Sequence, residues 1–92
     1  MILSFRSKPT QSLVEGKAAA QFANIRNVAE RKLQMLHRAT CLEDLRVPPN
    51  NRLEALAGDR KGQHSIRIND QWRVCFVWLG ADATNVEIVD YH

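Results

Sequence analysis

Two arginines in the second half of the chain are candidates for binding an anion. Arg67 and Arg73 lie on two consecutive predicted strands, on either side of a tight turn at residues 69–71. Because side chains alternate along a strand, both arginines are expected to leave the same sheet face and to lie close together. Adjacent guanidinium groups repel each other unless an anion lies between them. In the alternative, each arginine pairs with a surface acid: Asp70, Glu87 or Asp90.

The end of the sequence, Asp90, Tyr91 and His92, carries groups that can move or bind protons. The imidazole of His92 lies beside the α-carboxylate, and an adjacent negative charge favours the protonated ring. Histidine is the usual proton-transfer side chain near neutral pH. The alternative is a frayed chain end, although a predicted strand over residues 86–89 leads up to it and would hold it in place.

These two groups of residues together suit the cleavage of RNA by internal transfer, a reaction that needs no metal ion. The 2′-hydroxyl attacks the adjacent phosphorus, so a base must accept its proton and an acid must protonate the leaving 5′-oxygen. Cations must also stabilise the charge on the phosphoryl oxygens. His92, Tyr91 and Asp90 are the candidates for proton transfer, and Arg67 and Arg73 form the candidate cationic clamp.

Other chemistries find little support in the sequence. The three histidines lack the spacing of a metal site, and no glycine-rich nucleotide loop is present, so we expect neither a metal nor a cofactor. His64 is interpreted either as a histidine at the edge of the core or as a group that stacks on RNA. Cys41 and Cys75 have no paired spacing, so both are expected to be reduced thiols, with Cys75 packed within a strand.

Length and composition favour a small globular protein. The 92 residues suffice for a single domain over residues 1–92. No apolar run reaches the roughly 18 residues of a membrane helix, and residues 1–10 lack the pattern of a secretory signal. We therefore expect a cytoplasmic protein without a membrane partner. Its 13 basic and 10 acidic residues give a net charge of +3, which permits an anionic partner such as RNA without requiring one.

Hydrophobic periodicity predicts the elements that must position these residues. Apolar residues spaced three or four apart over 22–36 predict the clearest helix, and Pro9 and Gly16 suit the start and end of a shorter one. Short turns separate three predicted strands, which makes neighbouring strands antiparallel. These strands span residues 64–69, 72–79 and 86–89. Weak alternation over residues 2–6 predicts a further short strand at the start of the chain.

The predicted fold class is α+β, with a small antiparallel β-sheet and N-terminal helices packed on one face. The apolar stripe of the long helix must be buried, and one face of the sheet is the large surface available for it. The opposite face, which carries Arg67 and Arg73, is left to solvent or to a ligand.

Basic side chains also lie off the apolar stripe of the long helix. They are either a solvated helix face, a contact to RNA, or a protein-binding surface. These residues are Arg26, Arg31, Lys32 and Arg38.

Several motifs together resemble the HigB toxins, which belong to the RelE/ParE-like superfamily of bacterial toxin–antitoxin systems. The resemblance is carried by the run NRLEALAGDRKGQHSIRINDQWRVCF, by NVEIVDYH at the end, and by the opening MILSF with the helix VAERKLQML. It covers essentially the whole chain, and it implies a RelE-like fold that agrees with the one derived above.

The resemblance implies an endonuclease that cuts mRNA in the ribosomal A site and thereby inhibits translation. It also implies a partner, a HigA-type helix-turn-helix antitoxin that represses the shared operon, so operator DNA is reached only through the antitoxin. An alternative on the same fold is a non-catalytic ParE-like toxin that inhibits DNA gyrase. The Asp90-Tyr91-His92 tail with Arg73 favours the nuclease, because a toxin that only binds protein would not need it.

By position, the resemblance places Asp90, Tyr91 and His92 on the family's functional tail and Arg73 on its phosphate-binding arginine. Arg67 is close to a second basic position of the family. The candidate RNA contacts are Arg60, Lys61, His64, Asn69 and Gln71.

The chain departs from some relatives at three positions. Ala57 stands where some have a lysine, Glu54 where some have a histidine, and Asn69 where some have a basic residue. A missing cation is expected to weaken stabilisation of the transition state, although Arg60 or Lys61 could partly replace it.

Overall fold

The structure is a computed structural model that describes residues 1–90. Helix α1 spans Lys8–Val14, and its first turn is capped by the Ser7 hydroxyl, which accepts a hydrogen bond of 3.2 Å from the Thr10 amide. Pro9 occupies the first turn, where its missing N–H costs nothing. Gly16 follows the helix in a left-handed conformation with φ 79°. The short predicted helix is therefore confirmed at both ends.

The longer predicted helix is divided into two segments. A 3₁₀ helix covers Ala20–Ile25, and helix α2 then spans Arg26–Arg38. The backbone of Ile25, with φ −118° and ψ 5°, departs from α geometry and separates the two. The predicted apolar stripe is nevertheless buried throughout, at Phe22, Ile25, Ala29, Leu33 and Leu36.

Four strands form one antiparallel sheet in chain order. They are β1 (Glu54–Ala55), β2 (His64–Arg67), β3 (Trp72–Leu79) and β4 (Asp82–Asp90). The three predicted strands are confirmed as β2 to β4, although β4 begins earlier than predicted, and β1 adds a short fourth strand. Further 3₁₀ turns lie at Leu42–Arg46, Pro49–Asn51 and Gly58–Arg60. Within residues 1–90, no helix is long and apolar enough to cross a membrane.

One face of the sheet packs against the helices, as predicted. Ile66, Val74 and Ile88 are cross-strand partners on this face and belong to the same hydrophobic core as the α2 stripe. Phe22 extends the contact, because its ring meets that of Trp72 edge to face at 5.6 Å.

The opposite face is less open than predicted. Ser65, Arg73 and Cys75 lie on this face and are all buried. Their burial has a local cause, since residues 52–60 return along the edge of β2 and place a backbone carbonyl and charged side chains against the centre of this face. The part left to a ligand is therefore narrower and more polar than the sequence suggests.

The N-terminal segment and α1 complete the outer edge of β4. Ile2 and Phe5 form parallel bridges with Ala83 and Val86, so the predicted short strand at the start of the chain is present only as isolated bridges. Further along, the amide of Ile88 donates to the fully buried hydroxyl of Thr10 at 3.0 Å. An edge that would expose unpaired backbone groups is thereby covered.

Candidate functional site

Arg73 is held on the sheet by at least three protein groups. Its Nε donates to the Ser65 hydroxyl at 2.7 Å, and its Nη2 donates to the Arg52 carbonyl at 2.7 Å. The same Nη2 lies 3.1 Å from a carboxylate oxygen of Glu54. Only 8% of Arg73 is exposed. The guanidinium is therefore a fixed cation whose orientation is set before any ligand arrives.

Arg67 lies directly opposite Arg73, because the two residues are register partners on β2 and β3. Arg67 is more accessible, with 28% of its side chain exposed, and it forms an ion pair with Asp70, whose side chain is 98% exposed. Asp70 is therefore the acid that pairs with Arg67, one of the three acids that the sequence offered as alternatives. Since Asp70 is almost fully solvated, a phosphate can replace it at modest cost.

A row of polar side chains runs across the same face of all four strands. Register pairs join Glu54 to Ser65, Ser65 to Cys75, and Cys75 to Glu87. At the β4 end, Glu87 accepts a 3.0 Å contact from Arg60, which lies in the glycine-bounded turn. Arg60 is thus anchored against the face by a carboxylate, while the neighbouring Lys61 is exposed.

The Cys75 thiol at the centre of this row is poorly suited to act as a nucleophile. Burial raises the pKa of the Cys75 thiol, with the carboxylates of Glu87 and Glu54 adding to the rise, while Arg60 and Arg73 oppose it. A raised pKa lowers the fraction of reactive thiolate. The structure therefore agrees with the expected packing role.

The side chain of Asp90 leaves β4 on the helix side of the sheet, opposite to the face that carries Arg73. The register partner of Asp90 is Trp72, and Trp72 packs against the helix-side core. The Asp90 carboxylate accepts a hydrogen bond of 3.0 Å from the Gln71 side chain. The alternation of β4 thus brings Val89, rather than Asp90, beside Arg73. The other two predicted members of the tail, Tyr91 and His92, lie outside the described residues.

The turn between β2 and β3 is organised by Asn69. Its side-chain oxygen accepts hydrogen bonds from the amides of Gln71 at 2.9 Å and Trp72 at 2.8 Å, which is typical of an Asx turn. The two predicted RNA contacts in this turn, Asn69 and Gln71, thus fix the turn and hold Asp90. This connection links the arginine pair to the end of β4.

His64 lies on the helix side of the sheet. Its register partner is Phe76, and the two rings stack with centroids 6.3 Å apart. Its Nδ1 is buried and has no hydrogen-bond partner in the part of the chain that the structure describes. This is the position of a histidine at the edge of the core, one of the two interpretations that the sequence left open.

The sequence missed the residues that hold Arg73. Glu54 was noted only as a departure from relatives, and neither Ser65 nor the Arg52 carbonyl stood out. Ser65 could have been found, because it lies two residues before Arg67 on the same strand face, diagonal to Arg73, where a small polar residue suits a hydrogen-bond partner. No sequence signal places a backbone carbonyl.

The arrangement can bind a phosphate ester without a metal ion. Arg67 and Arg73 present two cations on one face, one adjustable and one fixed, and both suit the geometry of phosphate oxygens. In residues 1–90 we find no group of three or more His, Cys, Asp or Glu side chains placed to hold a metal ion.

Comparison with known proteins gives a consistent assignment. A family model described as the RelE-like toxin HigB of type II toxin–antitoxin systems matches residues 4–92. The chain is 39% identical over 87 residues to Toxin HigB-1 of Vibrio cholerae serotype O1, covering 92% of each chain. It is 32% identical to Endoribonuclease HigB of Proteus vulgaris over an alignment of 93 positions that covers 100% of each chain.

Solved structures share the fold. YafQ from Escherichia coli strain BL21(DE3) superimposes with a TM-score of 0.64 at 13% identity, over 98% of this chain and 91% of YafQ. A single-residue variant of E. coli YafQ gives a TM-score of 0.65 at 12% identity over the same shares. This likeness confirms the predicted α+β, RelE-like architecture.

Proposed function

This chain belongs to the HigB-like family of RelE-like toxins from type II toxin–antitoxin systems, and from that membership we propose that it is a ribosome-dependent endoribonuclease. The proposed reaction cuts mRNA in the ribosomal A site and so inhibits translation in the cytoplasm. A relative whose printed name is Endoribonuclease HigB, 32% identical over the whole chain, supports the reaction type.

The observation that carries the proposal is the opposed pair Arg67 and Arg73 on one sheet face. In the proposed mechanism the scissile phosphate lies against this pair, where it displaces Asp70 from Arg67. The fixed guanidinium of Arg73 then stabilises the charge that develops on the phosphoryl oxygens, without reorganising during the reaction. Removing one such preorganised donor typically lowers the rate by about 10²- to 10³-fold.

The covalent step is a transfer within the RNA. The 2′-oxygen forms a bond to phosphorus as the bond from phosphorus to the 5′-oxygen breaks, which leaves a 2′,3′-cyclic phosphate and a free 5′-hydroxyl. One group must take the 2′-hydroxyl proton and another must protonate the 5′-oxygen. We assign these proton transfers to Tyr91 and His92, with Asp90 as an acceptor that orients the imidazole, because the Asp90 side chain leaves the opposite side of the sheet and is engaged by Gln71.

The described part of the arginine face supports a need for the ribosome. In residues 1–90 this face carries no histidine, and its two glutamates, Glu54 and Glu87, are both engaged by arginines. A site whose proton-transfer groups lie only in the tail beyond this face gains from a scaffold that holds the RNA bent and in line for attack. The ribosomal A site supplies such a scaffold.

The proposed protein partner is a HigA-type helix-turn-helix antitoxin. Membership of a type II family implies an antitoxin that binds the toxin. On this proposal, operator DNA is contacted by the antitoxin, and the toxin reaches DNA only within that complex.

The test is cleavage of a defined mRNA by the untagged protein, with and without programmed ribosomes, followed by primer extension to map new 5′ ends. We expect cuts within the A-site codon only when ribosomes are present, and none for His92→Ala. Cuts in free mRNA would contradict the dependence on ribosomes. Intact mRNA in both conditions would overturn the nuclease, and a DNA supercoiling assay with gyrase would then test the alternative.

A further inference from the structure

A groove of about 340 Å³ lies beside the arginine pair, at the outer edge of β2. Helix α2 forms one wall through Arg31 and Lys32, and residues 48–50 form the second. Arg67 and Ile68 close it at the end of β2. Because β1 pairs only with the first half of β2, the edge at Arg67 is open toward this groove.

Lys32 is held in this groove by a buried residue. Its ammonium donates to the Asn51 side-chain oxygen at 2.6 Å. Asn51 is fully buried, and its amide nitrogen donates to the Leu45 carbonyl at 3.1 Å and lies 3.0 Å from the Met35 sulfur. Because both ends of its side-chain amide are engaged, Asn51 is itself fixed. It therefore holds the Lys32 ammonium in one position, whereas a lysine side chain is otherwise flexible.

The groove concentrates positive charge. Burial lowers the pKa of the Lys32 ammonium, and the nearby guanidinium groups of Arg31 and Arg67 lower it further. Within residues 1–90, the one acid in an ion pair with these three cations is Asp70, which is almost fully exposed and pairs with Arg67. Three cations that lie close together, with one exposed acid to balance them, are stabilised by a bound anion.

We propose that Arg31, Lys32 and Arg67 form a second site for a backbone phosphate of RNA, one that continues the path of the strand from Arg73 around the edge of β2. Arg67 belongs to both sites, since it is the register partner of Arg73 and also lines the groove. This inference rests on the proposed function, because it takes the ligand of the arginine face to be RNA.

Continuity favours RNA over an acidic segment of a protein partner. The groove shares Arg67 with the face proposed to bind the scissile phosphate, so a single sugar–phosphate chain can occupy both. Its lining combines two arginines, a fixed lysine and the small polar Asn50 with the apolar side chains of Val28, Met35, Pro48 and Ile68. Arginine is favoured where phosphate is bound by a planar pair of donors.

The experiment compares Arg31→Gln and the double variant Arg31→Gln/Lys32→Gln with the wild type and with Lys8→Gln. Lys8 is a matched control, because it is an exposed cation on α1, and α1 lies at the β4 edge, across the sheet from the groove. Binding is measured by fluorescence anisotropy with a short 2′-O-methyl RNA, which cannot be cleaved, and by pelleting with 30S subunits that lack mRNA. Thermal unfolding of each variant checks the fold.

We expect the double variant to bind RNA about tenfold more weakly, with a salt dependence reduced by about 0.7 in log–log slope for each lost contact to single-stranded RNA. Weakening with the short RNA assigns the groove to mRNA, and weakening only with 30S subunits assigns it to ribosomal RNA. If the Lys32 substitution unfolds the protein, Arg31→Gln decides, since the exposed Arg31 has no ion-pair partner within residues 1–90.

The groove assignment is overturned if the variants bind both RNAs as tightly as the wild type and Lys8→Gln do, while the wild type still cuts mRNA. It is equally overturned if binding to the antitoxin weakens and binding to RNA does not. A wild-type protein that neither binds nor cuts RNA would instead overturn the proposed function itself, and the groove assignment with it.

Discussion

Arg73 on β3 reaches across β2 to form a 3.1 Å ion pair with Glu54 on β1, two strands away. On the way its Nε donates to Ser65 of the intervening strand. The guanidinium therefore lies along the sheet rather than projecting from it. This orientation explains why two polar residues of this face, Arg73 and Ser65, are buried. A phosphate that approaches Arg73 meets the Glu54 carboxylate on the same nitrogen.

Replacing Glu54 with glutamine is expected to tighten RNA binding, because the carboxylate competes with phosphate for Arg73 and repels it. The side chain of Glu54 is 50% exposed, so the free energy of unfolding should change by less than about 1 kcal/mol. Anisotropy with a non-cleavable RNA measures the affinity. Glu43→Gln is the control, since Glu43 is an exposed acid in a separate 3₁₀ turn, where it pairs with Arg46, and an equal gain in that variant would show an effect of net charge alone.

Arg73→Lys is expected to destabilise the protein although it keeps the charge. Lysine cannot reproduce the separate donations to Ser65 and to the Arg52 carbonyl, and a buried acceptor left without a donor costs about 1–3 kcal/mol. Arg67→Lys is the matched comparison, because its partner Asp70 is exposed and the expected loss is about 0.5 kcal/mol or less. Urea unfolding of both variants measures the difference, and equal losses would contradict the asymmetry between the two arginines.

Thr10→Val is expected to lower the free energy of unfolding by about 1–3 kcal/mol. Valine has nearly the same shape but leaves the Ile88 amide without the oxygen that accepts its hydrogen bond. Thr10→Ser keeps that oxygen and should lose less stability than valine does. A valine variant as stable as the wild type, together with a serine variant that loses stability, would instead place the contribution of Thr10 in its methyl group.

Thiol labelling should separate the two cysteines. Cys41 is exposed and Cys75 is buried, and burial raises the pKa of Cys75, so a disulfide reagent at neutral pH is expected to modify one thiol rapidly and the second only after unfolding. Because the folded pKa of Cys75 lies above the unfolded value, its contribution to stability is complete below the unfolded pKa and is lost as the pH rises through the folded value. Rapid modification of both thiols in the folded protein would contradict its burial.

Much of the fold was predictable because burial leaves a period in the sequence. The spacing of Phe22, Ala29 and Leu36 reports a helix face, and the alternation through Ile66 and Val74 reports a strand face. β1 was not predictable in this way, because a two-residue strand has no period. Weak alternation over residues 2–6 predicted a short strand, but its pairing with β4 through isolated bridges depends on where that distant strand lies.

The candidate site was predictable at its arginines but not at their partners. The short turn at residues 69–71 fixes the register of β2 and β3, so Arg67 and Arg73 had to meet. The pair Glu54–Arg73 spans two strand spacings and depends on the segment that leads into β1, which carries no local signal. For the same reason the sequence left the arginine face more open than it is.

The outer edge of the sheet joins the first residues of the chain to β4, and the amide of Asn85 donates to the Ser4 hydroxyl across 81 positions of sequence. Contacts of such separation are closed late, since the entropy of a long loop is lost before the contact forms. During synthesis the opening segment must wait for β4 to be made before it has anything to pair with. The sheet of the nascent toxin is therefore incomplete during most of its translation, and its outer edge is covered only after β4 has been synthesised.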